Sequence, residues 1–143
     1  MTKIILAIVL FLATLLSFSQ DVETISKNKK ITVTVKNAPN DLGKIYFSIY
    51  KKEGFSKRNP IQQIESTIKN GIASVTFNIE ESDTYAILCY HDSNSNSRMD
   101  FAETGMPLED YGASNNIMKF GPPKFEDSKF ELKDIDLNIF IKF

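Results

Sequence analysis

One cysteine, Cys89, and one histidine, His91, are too few soft or imidazole donors for a transition-metal site, which draws on several of either. A lone cysteine also excludes an internal disulfide, so a packed core has to supply the stability. Cys89 lies within the apolar run Tyr85 to Tyr90 with no Lys or Arg beside it, and it reads as a small core residue instead of a reactive thiol. Net charge is scarce as well, at −1 for the whole chain. Neither nucleic acid nor an anionic membrane surface is expected as the main partner, because each is met by a clustered positive face. No nucleophile motif, cofactor fingerprint, internal repeat or linker is present.

The N-terminus has the order of a secretory signal peptide. Lys3 precedes the apolar run Ile4 to Ala13, and small and polar residues follow from Thr14 to Gln20. Ser17 and Ser19 occupy the small-residue positions before a cut ahead of Gln20. The run is shorter than the ~20 residues that a spanning helix needs, so residues 1–19 are expected to be removed, with no membrane insertion afterwards. No cysteine near the cut offers a site for a lipid anchor. Lys3 is the only one of the 17 basic residues in this leader, so 16 remain against 18 acidic ones. Residues 20–143 are enough for one domain and too few for two.

That domain reads as all-β. Ile31 to Lys36, Lys44 to Lys51 and Ile72 to Ile79 alternate apolar and polar residues, the period of strands with one buried face. Ile61 to Lys69 is a weaker strand, and Asn70-Gly71 after it is a short hairpin signal. Tyr85 to Tyr90 is apolar on both parities, as expected of a central strand covered on both sides. Phe125 to Leu132 and Ile135 to Phe143 close the domain. About seven strands without a sustained helix predict a two-sheet β-sandwich, immunoglobulin-like or transthyretin-like in connectivity. The core is expected to include Val33, Phe47, Val75, Phe77, Ile87 and Leu137, with Phe55 as a cap.

Between the central strand and the closing strands, from Asp92 to about Lys124, there is no regular period. A loop that long in a compact domain tends to be functional. Its first part, His91 to Gly105, carries Asp92, Asn94, Asn96, Asp100 and Glu103 at the first, third, fifth, ninth and twelfth places counted from Asp92. That is the oxygen-ligand spacing of a calcium loop, with the Arg98 carbonyl at the seventh. All the donors are hard oxygens, which suits Ca²⁺ better than Mg²⁺. The competing reading is a solvated turn, since Asn, Asp and Ser bond to nearby backbone in turns. Ser97 stands where a calcium loop has its turn glycine, so it has to adopt a left-handed conformation that weakens binding.

Two further features adjoin the loop. His91 reads as a structural anchor; a catalytic role would need a second titratable group or a Ser placed beside it, with Ser114 one candidate. Tyr111 to Asn116, Tyr-Gly-Ala-Ser-Asn-Asn, sets an aromatic beside amides and a hydroxyl, the mix that stacks on and hydrogen-bonds sugars, or else an ordered loop packed by Tyr111.

Several of these pieces recur together in a known family. Tyr85-Ala86 leading to His91-Asp92-Ser93-Asn94-Ser95-Asn96, then Asp100, Gly105 to Glu109, Tyr111 to Asn116, Pro123 and Phe125 to Asp127 resemble the secreted bacterial family catalogued as domain of unknown function 2141. That family commonly has Gly where this chain has Ser97. The resemblance implies export and a β-sandwich, and it names no substrate.

The function expected from the sequence is therefore a secreted or periplasmic, noncatalytic module of the bacterial cell envelope. It would hold Ca²⁺ in its loop and meet a protein or glycan of the envelope. The alternative is a small secreted hydrolase or carbohydrate-binding domain using the region from His91 to Asn116.

Overall fold

The computed structural model describes residues 28–117, 119 and 121–143, so the leader read in residues 1–19 lies outside the described residues. Eight strands form two sheets. They are β1 (Lys29–Val35), β2 (Lys44–Tyr50), β3 (Gln62–Thr67), β4 (Ala73–Ile79), β5 (Asp83–Asp92), β6 (Tyr111–Ala113), β7 (Lys129–Leu132) and β8 (Leu137–Ile141). One sheet has the order β4-β1-β8, with β1 antiparallel to β4 and parallel to β8. The other has the order β3-β2-β5-β6, and β7 pairs with the first part of β5.

The alternation in the sequence sets which faces meet. Ile31, Val33 and Val35 on β1, Val75 and Phe77 on β4, Ile45, Phe47 and Ile49 on β2, and Ile87 and Cys89 on β5 all turn into one buried cluster between the sheets. Leu137 packs against it while partly exposed. Fully burying side chains such as Phe47, Phe77 and Ile87, each at 0% exposure, contributes about 1.5–3 kcal/mol apiece. β5 is indeed central, and its outer face is covered too. There Tyr50, Phe55 and Ala86 are buried together against Leu88 and Phe125. Phe55 meets Tyr50 and Phe125 edge to face, at ring separations of 5.5 and 5.6 Å.

The structure differs from the sequence reading in three places. Asn70 and Gly71 do make a tight turn, with φ of 53° and 73° and reciprocal backbone bonds between Lys69 and Ile72. Only that one bridge forms, because β3 then joins β2 while β4 joins β1. The turn is a corner between sheets instead of a hairpin. The eighth strand, β6, lies inside the stretch without a period; three residues are too few to show one. Phe55 and Phe125 ride on single helical turns, Lys52–Phe55 and Phe125–Ser128, each too short to leave a helical pattern.

Candidate cation site

β5 carries the site. It pairs with β2 as far as His91 opposite Ile45 and Asp92 opposite Lys44, so Asp92 leaves the sheet at a fixed point. The β1–β2 connection packs hard against that end, for a side chain on Gly43 would put its first carbon 1.9 Å from the Asp92 carbonyl oxygen. His91 is 2% exposed, with Nε2 2.6 Å from the Leu42 carbonyl oxygen, and its backbone N–H donates to Asp110 at 2.9 Å. His91 thus ties two loops to the sheet, one through its ring and one through its backbone.

Asp92 is 1% exposed and organises the loop that follows. Its carboxylate accepts the N–H of Asn96 at 3.0 Å and of Ser97 at 2.8 Å. The chain can fold back so sharply because Ser95 and Ser97 take left-handed φ of 61° and 63°. The Asn94 side-chain oxygen Oδ1 accepts the N–H of Asn96 at 3.1 Å, and Asn96 Oδ1 accepts the N–H of Arg98 at 3.0 Å. These are the side-chain turns that Asn favours. Both amide nitrogens then donate to one oxygen of Asp100, at 2.7 Å each. Those amides, and after them the Arg98 guanidinium, hold the Asp100 carboxyl below its ordinary range. The loop residues Asp92, Asn94, Asn96, Arg98 and Asp100 are therefore brought together.

Glu103 is not. Backbone bonds from Ala102 to Met106 and from Leu108 back to Asp100, with a bridge between Phe101 and Pro107, close a narrow turn that carries Glu103 out into solvent. The same turn returns the chain to the loop at Glu109, which is 9% exposed. Glu109 accepts the N–H of Ser93 on one oxygen and of Asp100 on the other, both at 3.1 Å. Spacing alone missed Glu109, although turn residues Gly105 and Pro107 between Asp100 and Glu109 were a signal that the chain doubles back.

Among the described residues no group of three or more His, Cys, Asp or Glu side chains is arranged to hold a metal ion. The donors here are mixed carboxylates and amides, and both amides present nitrogen to Asp100. Asp92 and Glu109 form no ion pair among the described residues. Lys44, opposite Asp92 in register, sends its ammonium to Glu65 instead. Burial, with the Asp92 and Glu109 charges adding to it, pushes the Tyr90 phenol up to about 12.

The neighbouring features resolve differently. Cys89 is 2% exposed, and burial drives its thiol pKa far upward, so it stays a neutral core group. The polar side chains of Ser114, Asn115 and Asn116 are spent on backbone. Ser114 accepts the Ile87 N–H at 3.0 Å and donates to the Ser128 carbonyl. Asn115 donates to the carbonyls of Asp127 and Lys129, and Asn116 pairs with Phe140 on β8 and with Lys142 just past its end. This segment clasps the two sheets together. Tyr46, Tyr90 and Tyr111 stand in one cross-strand row on the outer face, all half-buried, with Tyr46 and Tyr90 stacked at 5.2 Å. Tyr46 reaches the loop by donating to the Ser97 hydroxyl at 3.1 Å. Surface hollows lined by Lys119 and Asp127, and by Arg58 and Phe125, lie away from His91.

Comparison with known proteins gives one match. The family described as an uncharacterized protein conserved in bacteria, domain of unknown function 2141, matches residues 33–139. No curated protein and no solved structure matches the chain.

Proposed function

Because the chain belongs to the bacterial family domain of unknown function 2141, we propose that it is a noncatalytic β-sandwich module exported to the cell envelope, whose loop binds Ca²⁺. The observation that carries the calcium reading is the burial of Asp92. Among the described residues, a carboxylate at 1% exposure with no basic side chain bonded to it has only backbone N–H groups to offset its charge. Buried charges are normally paired or bound to metal, and a cation here would supply the missing partner. Asp92, Asp100 and the Arg98 carbonyl would hold it, and Asn94 and Asn96 would join by turning their amide oxygens inward. Seven- or eight-coordinate Ca²⁺ tolerates such an irregular set of oxygens better than Mg²⁺ does. An affinity of about 10⁻⁴–10⁻³ M, the range of extracellular modules, is expected.

Calorimetric titration with Ca²⁺, and melting curves in Ca²⁺ and in chelator, test this. Wild type should melt higher in millimolar Ca²⁺ and Asp92→Ala should lose the response; no heat and no shift in wild type would refute the reading. Export rests on the leader at residues 1–19. Mass spectrometry of protein from its native host should find a mature chain starting near Gln20.

A second reading, a glycan-binding face, is favoured by the row Tyr46, Tyr90 and Tyr111 beside the loop. Tyrosines offer apolar faces with hydroxyls at their ends, the combination that suits sugar rings. Its test is tyrosine fluorescence quenching on titration with envelope oligosaccharides, compared between wild type and Tyr90→Ala. For His91, the bond to the Leu42 carbonyl favours the anchoring role over that of a general base.

A further inference from the structure

We propose that the apolar turn from Phe101 to Leu108 of one copy seats in the hollow beside Phe55 and Phe125 of a second copy of this chain, a contact independent of the calcium reading above. The turn is closed by backbone bonds from Ala102 to Met106 and from Leu108 to Asp100. Yet it carries Phe101, Met106 and Leu108 at 56%, 66% and 67% exposure. Single exposed apolar side chains are ordinary, but three large ones on one short turn mark a surface suited to being covered. Phe101 and Pro107 are bridge partners and share one face of the ribbon, so Met106 and Leu108, on either side of Pro107, fall on the other. A ribbon that is apolar on both faces fits a recess better than a flat surface.

The chain has such a recess near its other end. A hollow of about 490 Å³ is lined by the apolar Phe55, Pro122, Pro123 and Phe125, and by Lys52, Arg58 and Lys124. Glu126 engages Lys52 at 3.2 Å, whereas Arg58 and Lys124 form no ion pair among the described residues. Arg58 lies over the Phe55 ring, 5.8 Å from its centre, from a left-handed φ of 53° that is uncommon outside glycine. Beside the turn the sign is opposite, for Glu103 and Asp110 are exposed and form no ion pair among the described residues. Two acidic groups thus flank the apolar turn and two basic groups the apolar hollow, so turn meets hollow with attraction while turn meets turn with repulsion. The turn extends from the end of the sheet where Asp92 faces Lys44, and the hollow follows the pair Tyr50 and Ala86, six residues along β2. That is about 20 Å at the rise of a strand. A turn held at one end cannot fill the hollow at the other, so its partner is another molecule.

Sedimentation velocity on protein purified from its native host, over a rising series of concentrations, tests this. One turn in one hollow buries less than the ~1,200 Å² of stable complexes, so association is expected to be weak and to grow with concentration. Wild type should rise above the monomer mass. Met106→Asp, which spoils the turn, and Arg58→Glu, which spoils the hollow, should each associate about tenfold or more weakly when alone. Mixed in equal amounts, the two should recover dimers and nothing larger, because one keeps its hollow and the other its turn. Near-ultraviolet circular dichroism checks folding, and Leu108→Asp or Lys124→Glu takes the place of a variant that does not fold. Wild type that stays monomeric at every concentration overturns the proposal. So does full association by the hollow variant alone, which would be turn against turn, and so does a mixture that stays monomeric where wild type associates.

Discussion

Gly112 on β6 lies against Ile141 on β8 so closely that no side chain fits between them. A methyl group on Gly112 would sit 2.5 Å from Ile141 Cγ2 and 2.6 Å from the Lys142 carbonyl oxygen. β6 belongs to one sheet and β8 to the other, so this contact is where the sandwich shuts on the side away from the β3–β4 corner. Next to it, Asn116 serves as a strand partner for β8, donating to Phe140 at 2.9 Å and accepting from Lys142 at 2.7 Å.

Gly112→Ala should therefore destabilise the fold by about 1–3 kcal/mol, the usual range for overpacking. The Ile141 side chain can rotate away, but the Lys142 carbonyl is backbone and cannot. Urea denaturation followed by tyrosine fluorescence checks this. A variant as stable as wild type would mean that β6 does not approach β8 as described.

The alternation of β1, β4 and β8 was legible because each of these strands turns one face to the core and leaves the other more open to water. Ile31, Val33 and Val35 can be picked out by parity alone. The role of Tyr111 to Asn116 was not legible. A Ser, two Asn and a Gly read the same whether they face a ligand or, as here, the backbone of β5, β7 and β8, since the partners lie up to 27 residues away. Glu109 was hidden for a related reason. Spacing rules assume that a loop winds steadily, and here the chain makes a detour from Phe101 to Pro107 before Glu109 meets the N–H groups of Ser93 and Asp100.

The acid limb of the stability curve should depend on Asp41. Its carboxylate accepts the N–H groups of Gly71 and Asn70 at 2.8 Å each, and these bonds lower its pKa from 3.8. A depressed folded-state pKa means that the ionised form stabilises the fold. That contribution is present above the ordinary value of 3.8 and fades as pH falls through the folded-state value. Asp41→Asn should flatten the decline in melting temperature below about pH 4, with little change in its shape at higher pH. An unchanged acid limb would show that the bonds to the corner turn do not favour the ionised form.

The side-chain amide nitrogens of Asn94 and Asn96 both donate to one oxygen of Asp100, an oxygen that a cation would claim. Replacing either by Asp removes the competing N–H donors and adds a ligand charge. Asn94→Asp and Asn96→Asp are each expected to bind Ca²⁺ on the order of tenfold tighter, since affinity in such loops follows ligand charge. In chelator the same variants should melt lower than wild type, because the added carboxylate faces Asp100 with nothing between. Calorimetry and melting curves read the two effects separately. Unchanged affinity in both variants would exclude these positions from the site.

Ser97 bears on how the loop is made ready. A calcium loop with Ser at its sharp turn is expected to bind weakly if the ion has to force that residue into the left-handed region, which costs a non-glycine residue about 1 kcal/mol or more. Here Ser97 already holds φ at 63°, kept there by the Asp92 carboxylate on its N–H at 2.8 Å. The strain is thus met when the protein folds and is common to the free and bound forms. Ser97→Gly should accordingly leave the Ca²⁺ dissociation constant within about twofold of wild type, because a term common to both states cancels. Its effect should appear in folding stability, as a gain of less than about 1 kcal/mol. The relief of strain is partly offset by the greater freedom of glycine in the unfolded chain and by loss of the Tyr46 bond to the Ser97 hydroxyl. Calorimetric titration paired with urea denaturation separates the outcomes. A tenfold tightening of Ca²⁺ with no change in stability would show the opposite, that the loop reaches this turn only with the ion in place.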